Sequence, residues 1–313
     1  MDLMLSFPPQ QNRLQIKHGE EVILLGSCFA DSMRTHFVKH GFKVLSNPFG
    51  TLFHPLSIAN SIEAAILNDT SVAVHKRDDI YFSWNSSSKV YGMSEEELRE
   101  NLLQSRQNLG ERLSSAKILV ITFGTSWGYN HQDLNTIVAN CHKERQEVFK
   151  KELSSSSQMY ERWTKTVSLL HDFNPELEIL FSVSPVRHLK DGLIENNRSK
   201  GRLIELSQEL CDLNRVGYFP AYELILDQLR DYRFYKEDLI HPNAAAIEFV
   251  WDFFMRSYFS EDTRALANKV RNINTSLNHD QLHPDSIQSK RHLEKTNTVR
   301  CDIEEKYPMV YWE

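Results

Sequence analysis

Short apolar runs alternate along the chain with longer segments of helical period. The apolar runs are Glu21–Gly26, Phe42–Ser46, Ala116–Gly124, Glu176–Ser184 and Arg215–Ala221. Most of them are continuously apolar, which is the pattern of strands covered on both faces. The amphipathic segments that follow them predict helices over Asp31–His40, Leu56–Leu67, Ser94–Ala116, Arg145–Asp172, Arg198–Asn214 and His241–Phe259. This alternation predicts an α/β protein with a doubly wound, five-stranded parallel sheet and right-handed crossovers.

Local signals mark the ends of some of these elements. Ser94 and Glu97 have the spacing of a capping box at a helix start. Pro242 is expected just inside the last large helix, where proline is favoured. The polar stretches around 69–94 and 130–146 predict loops or small subelements.

The chain becomes more polar after Phe259. Two helical patterns, Thr263–Leu277 and Pro284–Lys295, lie in this part. Neither is apolar enough to found a second core, so we expect residues 1–259 to form one domain. Residues 260–313 are then a C-terminal helical extension packed on it.

Composition and charge restrict the class of protein. Charged residues make up 25% and hydrophobic residues 41% of the 313 residues, as in an ordered globular protein. The net charge of −6 gives no reason to expect nucleic acid or an anionic membrane as a partner. The start of the chain lacks a cationic segment, and no apolar run reaches about 18 residues, so we expect neither a secretion signal nor a membrane span. Scattered cysteines then predict reduced thiols and a cytoplasmic location: Cys28, Cys141, Cys211 and Cys301.

Candidate chemistry gathers where the predicted strands end. In an open α/β sheet, ligands bind beyond the carboxyl ends of the strands. The segments at these ends are Gly26-Ser27-Cys28, "NPFG" ending at Gly50, "GTSW" from Gly124, "SPVRH" from Ser184, and "DLIH" from Asp238 before the last large helix. We expect them to converge on one edge of the sheet.

Three of these residues make a complete set for acyl transfer. Cys28 is expected at a helix N-terminus, where the helix dipole lowers the pKa of a thiol. His241 can take the proton, and Asp238, three residues earlier, can orient the imidazole. Cys28, His241 and Asp238 are therefore the predicted catalytic residues, with Ser27 as an alternative nucleophile. The other interpretation is a buried, inert Cys28 and a Ser27 that caps the helix.

Six motifs occur in order along the chain: "GSCFA", "NPFGTLFHP", "ITFGTSWGY", "NCHK", "SVSPVRH" and "LRDYRFYKEDLIHPN". Together they resemble the GSCFA family, which is grouped with the SGNH, or GDSL-type, ester hydrolases. The resemblance implies a three-layer α/β/α sandwich with flavodoxin-like strand order. It also implies an esterase or acyltransferase that needs no metal or organic cofactor.

The sequence blocks of the SGNH hydrolases can be matched to this chain position by position. "LLGSCFAD" resembles the strand-Gly-Asp-Ser block, with Cys28 at the nucleophilic serine. Gly50 resembles the glycine whose amide helps to form the oxyanion hole. "GTSW" resembles the Gly-x-Asn-Asp block and places Ser126 at the oxyanion-binding asparagine. "DLIH" resembles the closing Asp-x-x-His block without departure.

The block that should carry the oxyanion-binding asparagine departs from the superfamily pattern. Its asparagine is missing, so another donor would have to replace it. The candidates are Ser126, the indole N–H of Trp127, Asn47 and Asn140. Losing one such donor costs roughly two to three orders of magnitude in turnover.

The expected function is therefore an SGNH-like hydrolase or acyltransferase acting on a small-molecule or carbohydrate ester, such as an O-acetylated sugar. Arg187 and His188 are candidates for binding an acidic or sugar substituent, and Trp84, Trp127 and Tyr129 for stacking on a sugar. Each of these also has an ordinary structural interpretation. The alternative function is a non-catalytic ligand-binding module on the same fold. The adjacent Cys141 and His142 lack the partner spacing of a zinc site. The sequence does not indicate an oligomeric state.

Overall fold

The computed structural model describes residues 5–9, 14–278 and 286–312. Its strands are β1 (Val22–Gly26), β2 (Val44–Ser46), β3 (His75–Arg77), β4 (Ile80–Phe82), β5 (Ile118–Phe123), β6 (Trp127–His131), β7 (Thr136–Val138), β8 (Phe149–Leu153), β9 (Glu178–Val183) and β10 (Val216–Phe219). In these ranges the central sheet is five-stranded and parallel, in the order β10-β9-β5-β1-β2. Counted along the chain, this is the predicted flavodoxin-like order.

Helices cover both faces of this sheet. They are α1 (Cys28–Lys39), α2 (Pro55–Ile66), α3 (Glu95–Leu113), α4 (Ser156–Phe173), α5 (Leu193–Leu210), α6 (Ala221–Glu223), α7 (Ala244–Tyr258), α8 (Glu261–Leu277) and α9 (Ile287–Lys306). A π-helical segment, Leu224–Leu229, continues α6. Among the described helices, none combines the length and the apolar character that crossing a bilayer requires.

The core has two halves because the sheet is buried on both faces. In β1, Ile23 and Leu25 pack with α2, α3, α4 and α5, whereas Val22 and Leu24 pack with α1 and α7. Side chains alternate along a strand, so each inner strand must be apolar at most positions to fill both halves. All five residues of β1 are buried, as the continuous apolar run predicts.

Several predicted helix boundaries differ from the structure, and two of the differences have a clear local cause. The helix predicted over Arg145–Asp172 begins only at Ser156, because Phe149–Leu153 pairs antiparallel with β6 instead. Ser155 caps the shorter helix through its hydroxyl. Pro242 lies before α7 rather than inside it, because the side chain of Asn243 accepts the N–H of Ala246 and forms the cap.

The polar insertions form two small antiparallel sheets beside the central one. One joins β3 to β4, and the other joins β7, β6 and β8. Together they enclose an aromatic cluster of Phe82, Trp84 and Phe149, on which His142 stacks. Trp84 is 6% exposed and belongs to this cluster, so it does not form part of a sugar-stacking surface.

The C-terminal helices pack on the α1 side of the molecule. Val270 of α8 forms an apolar cluster with Ile303 of α9 and with Val310. Beyond α9, the N–H of Tyr311 donates to the carbonyl of Gly41 at 2.9 Å. The predicted start of the last helix at Pro284 lies outside the described residues, and α9 extends to Lys306, beyond the predicted end.

Two buried histidines, His40 and His54, make the stability of the fold depend on pH. His40 accepts the indole N–H of Trp251 at 3.1 Å, and His54 accepts the N–H of Leu56 at 3.2 Å. Burial lowers the pKa of each to about 4. Below pH 6.5 the unfolded chain binds protons that the folded chain does not, so stability is lost as pH falls toward 4.

We expect the free energy of unfolding, measured with urea, to fall between pH 7 and pH 5 by roughly 2 kcal/mol for each of these histidines. His40→Gln should reduce this dependence. His292→Gln removes an exposed histidine of α9 and should leave it unchanged. An unfolding free energy that is constant from pH 7 to pH 5 would contradict the prediction.

Candidate active site

The turn after β1 places Cys28 at the sheet edge. Gly26 has φ of +122°, and a Cβ there would lie 2.2 Å from the carbonyl oxygen of Thr122, so the turn requires glycine. Ser27 is fully buried, and its hydroxyl accepts the N–H of Phe29 at 3.3 Å as the cap of α1. Cys28 follows as the first residue of the helix and is partly exposed.

The ionisation of Cys28 differs from the sequence expectation. A helix N-terminus alone would lower the pKa of the thiol. Burial instead raises the pKa of Cys28, and the carboxylate of Asp31 raises it further. Lys200 and Lys236 act in the opposite direction but do not reverse the shift. Cys28 is therefore a thiol at neutral pH and needs a base to become a nucleophile.

Asn47 directly follows the neighbouring strand β2 and stabilises the turn after β1. Its Oδ1 accepts the N–H of Gly26, and its Nδ2 donates to Asp31, each at 2.8 Å. Its φ of 43° is a left-handed conformation that asparagine tolerates. The N–H of Gly50 donates to the carbonyl of Asn47 at 2.8 Å. The N–H of Gly50 is thus occupied, and one of the two Nδ2 donors of Asn47 is used within the turn.

The Asp238–His241 turn forms the second part of the site. The Nδ1–H of His241 donates to Oδ2 of Asp238 at 2.7 Å. Oδ1 of Asp238 accepts the N–H groups of Ile240 and His241 at 2.9 and 3.0 Å. These bonds lower the pKa of Asp238 to about 2, the backbone bonds contributing most. With Nδ1 so engaged, neutral His241 presents Nε2 as a proton acceptor.

Arg187 supports this turn. Its guanidinium donates to the carbonyl of Leu239 at 2.8 Å and stacks 4.1 Å from the ring centre of Tyr235. Leu239 has φ of 56°, a conformation that costs a leucine about 1–2 kcal/mol. The guanidinium of Arg187 therefore stabilises the strained conformation of Leu239, which lies between Asp238 and His241.

Cys28 and the Asp238–His241 turn lie at the same edge of the sheet. Cys28 interacts electrostatically with Lys236, whose backbone N–H donates to the carbonyl of His241 at 2.8 Å. On the other side, Cys28 interacts with Lys200, Lys200 with His188, and His188 with His241. The start of α1 and the Asp238–His241 turn therefore share neighbouring charged groups, although within the described residues no hydrogen bond joins Cys28 to His241.

The profile of the GSCFA family matches residues 21–254, about three quarters of the sequence. The chain belongs to the GSCFA family. The resemblance seen in the sequence motifs is thereby confirmed. No curated protein matches the chain.

Solved structures similar to this GSCFA protein are distant from it. A family 3 carbohydrate esterase from Talaromyces cellulolyticus is 9% identical, with 81% of this chain and 99% of that chain covered and a TM-score of 0.34. A family two carbohydrate esterase from Clostridium thermocellum is 10% identical, with 82% and 65% covered and a TM-score of 0.38. An acetyl xylan esterase from Butyrivibrio proteoclasticus is 11% identical, with 80% and 64% covered and a TM-score of 0.35. Similarities at this level do not extend to activity.

The segment after β5 is held by α5 rather than open to a ligand. Ser126 is fully buried, and its N–H donates to the hydroxyl of Ser199 at 2.8 Å. The hydroxyl of Ser126 lies 3.2 Å from that of Ser199. The indole N–H of Trp127 donates to the carbonyl of Glu195 at 3.2 Å. The structure thus gives these two predicted oxyanion donors partners within the protein.

The remaining candidates of the central insertion lie in the loop between β7 and β8. Oδ1 of Asn140 accepts the N–H of His142, and Nε2 of His142 bonds to the carbonyl of Ser86 at 3.1 Å. Burial raises the pKa of Cys141 to about 11. Within the described residues, no group of three or more His, Cys, Asp or Glu could hold a metal ion.

His188 is the predicted binding residue that the structure leaves most available. Its ring lies edge-on to Phe53, and within the described residues its buried Nε2 has no hydrogen-bond partner. Burial, with help from Lys200 and His241, lowers the pKa of His188 to about 3. At neutral pH it is therefore an uncharged imidazole with an unmet polar atom beside His241.

Sequence reasoning missed Lys200. It is 2% exposed, and its Nζ donates to the carbonyls of Gly124 and Ser184 at 2.7 and 2.6 Å. Burial lowers the pKa of this lysine to about 7. The available signal was its position on the inward face of α5, three residues before Leu203, where an apolar side chain is expected.

Proposed function

We propose that this GSCFA protein is an SGNH-like ester hydrolase or acyltransferase with Cys28 as its nucleophile. His241 is the general base and Asp238 orients it. The observation that carries the proposal is the 2.7 Å hydrogen bond from His241 to Asp238 at the sheet edge to which Cys28 also belongs. Ser27 is less suited to attack, because it is fully buried and caps α1.

The reaction follows from these three groups. The proton of Cys28 passes to Nε2 of His241 while Sγ attacks the acyl carbon. Collapse of the tetrahedral intermediate breaks the ester bond, and the leaving alkoxide takes the proton from His241. The resulting thioester is then attacked by water or by an acceptor alcohol, whose proton returns to His241. Release of the acid or of the new ester regenerates the thiol.

Oxyanion stabilisation falls to the start of α1. The N–H of Cys28 is the first amide of the helix and has no intrahelical partner, as at any helix N-terminus. The helix dipole adds positive potential at the same point. The substrate class we propose is a small-molecule or carbohydrate ester, with the uncharged His188 contacting a polar substituent beside the acyl group. A cytoplasmic location remains part of this proposal.

The proposal is tested by hydrolysis of short-chain p-nitrophenyl esters and of acetylated oligosaccharides. We expect turnover by the wild type and a loss of roughly 10- to 100-fold in kcat for Asp238→Asn. The amide cannot stabilise the imidazolium, but the exposed position of the pair limits the effect. Glu237→Gln, which removes an exposed neighbouring carboxylate, is the matched control and should retain full activity. Equal rates for the wild type and Asp238→Asn would contradict the role of Asp238.

A ligand-binding module without catalysis is the second candidate. It is favoured by the engagement of Gly50, Ser126 and Trp127 in hydrogen bonds within the protein. In this case the wild type would bind an acetylated oligosaccharide saturably, with no acid released. Calorimetry measures binding and an acetate assay measures hydrolysis on the same sample. Binding without acetate release indicates the binding module, and acetate release indicates the esterase.

A further inference from the structure

Lys200 is a buried cation with no role in the triad. Its ammonium connects two adjacent strands just beyond the sheet, since Gly124 follows β5 and Ser184 follows β9. A lysine that is 2% exposed carries a large desolvation cost. Two carbonyls satisfy two of its three N–H donors. The burial and the contacts together hold this amine in a fixed position, and its pKa of about 7 makes it a cation on the acid side of neutrality.

The strand register puts this charge level with Cys28. Gly26, the last residue of β1, pairs with Thr122 of β5, and two residues further along each chain segment lie Cys28, at the start of α1, and Gly124, just after β5. The N–H of Ser27 still donates to the carbonyl of Thr122 at 3.0 Å. Neighbouring strands lie about 4.8 Å apart. The carbonyl that binds Lys200 is therefore one strand away from the helix start that carries the thiol.

We propose that Lys200 is the positioning residue that supplies the counter-charge for the Cys28 thiolate. This role rests on the proposed function because Cys28 is the nucleophile there. As the proton of Cys28 leaves for His241, the negative charge that develops on sulfur is stabilised by an ammonium that is already held in place. Such preorganisation requires no rearrangement during the reaction.

The other charges around the pair cannot take this role. Asp31 faces Cys28 and opposes thiolate formation. Lys236 also faces Cys28, but it is exposed, so water and salt screen its charge. The group facing Lys200 besides Cys28 is His188, which is uncharged at neutral pH. A charge in a low-dielectric interior acts more strongly at the same distance than one in water.

Alkylation of Cys28 by iodoacetamide tests the proposal without any ester substrate. The rate is measured from pH 6 to pH 10 by mass spectrometry of the peptide that contains Cys28. In Lys200→Gln, which removes the charge but keeps an N–H donor, we expect roughly tenfold slower alkylation at pH 6, where Lys200 is an ammonium, and a smaller difference at pH 9, where it is neutral. Lys236→Gln is the matched control and should change the rate less than twofold. Equal profiles for the wild type and Lys200→Gln would overturn the proposal.

Local unfolding of α5 is monitored on the same samples. Cys211 caps α5, and its thiol donates to the carbonyl of Ser207. Unchanged labelling of Cys211 shows that the helix is intact in Lys200→Gln, so that a change at Cys28 reports the charge.

The coupling is also measured from the lysine, without altering Lys200. In protein labelled with ¹³C-lysine, the ε-carbon signal of Lys200 is titrated by NMR in the wild type and in Cys28→Ala. Because a thiolate favours the ammonium, its removal should move the Lys200 midpoint to lower pH. An unmoved midpoint would overturn the proposal even if Lys200→Gln did not fold. If no ester is hydrolysed but both effects appear, the proposed function fails while the coupled pair stands.

Discussion

His241→Ala is expected to lower kcat/KM for short-chain ester hydrolysis by roughly 100- to 10,000-fold, the contribution of a well-placed general base. The expectation rests on the state of the nucleophile. Burial and Asp31 raise the pKa of Cys28, so few molecules carry a thiolate at neutral pH. Without an imidazole to accept the proton, attack depends on that small fraction. Initial rates with p-nitrophenyl acetate at pH 6–9, corrected for spontaneous hydrolysis, measure the effect.

The pH dependence distinguishes a lost base from a damaged fold. The deficit of His241→Ala should be largest near neutral pH and shrink at pH 9, where hydroxide produces more thiolate. His292→Ala replaces an exposed histidine on α9 and serves as the control, with activity expected within twofold of the wild type. If His241→Ala retained more than half of the wild-type activity over this range, His241 would not be the base.

The sheet was predictable because both of its faces are buried. In β5 all six positions are buried and all but Thr122 are apolar, and this leaves a nearly continuous apolar run that no loop or surface helix would carry. The order of the strands was implied by the resemblance to the SGNH-type hydrolases, because right-handed crossovers alone allow more than one order. The strand β8 was not predictable in the same way. "FKKEL" has one buried residue, Phe149, and its pairing with β6 is a tertiary contact that local period does not encode.

The candidate site also has one part that was predictable from the sequence and one part that was not. Asp238 and His241 are close in sequence and their hydrogen bond follows from a local turn, so their spacing was sufficient to predict the pair. The environment of Cys28 was not predictable, because desolvation depends on everything packed around the thiol. Lys200 was missed for the same reason. A lysine in a helix is normally a solvated charge, and only the assembled sheet supplies the two carbonyls that hold it inside.

Cys28→Ala and Ser27→Ala should have opposite effects on activity and stability. Removing Sγ eliminates the thioester, so Cys28→Ala should lose at least about a thousandfold in kcat. Ser27→Ala removes the hydroxyl that caps α1, so it should cost about 1 kcal/mol of unfolding free energy and leave kcat within a few-fold. Steady-state kinetics and urea unfolding on both variants check the four values.

Trapping of the acyl group decides which atom attacks. Brief acid quenching of the wild type with an acetyl ester should leave a hydroxylamine-sensitive acetyl group on the peptide spanning residues 27 and 28, and Ser27→Ala should retain it. Cys28→Ser provides a second comparison, because an alkoxide in place of the thiolate gives an ester that resists hydroxylamine at neutral pH. Retention of the label in Cys28→Ala and its loss in Ser27→Ala would assign the nucleophile to Ser27. The buried cap of α1 would then have to open during catalysis, since the hydroxyl of Ser27 has no exposed surface from which to attack.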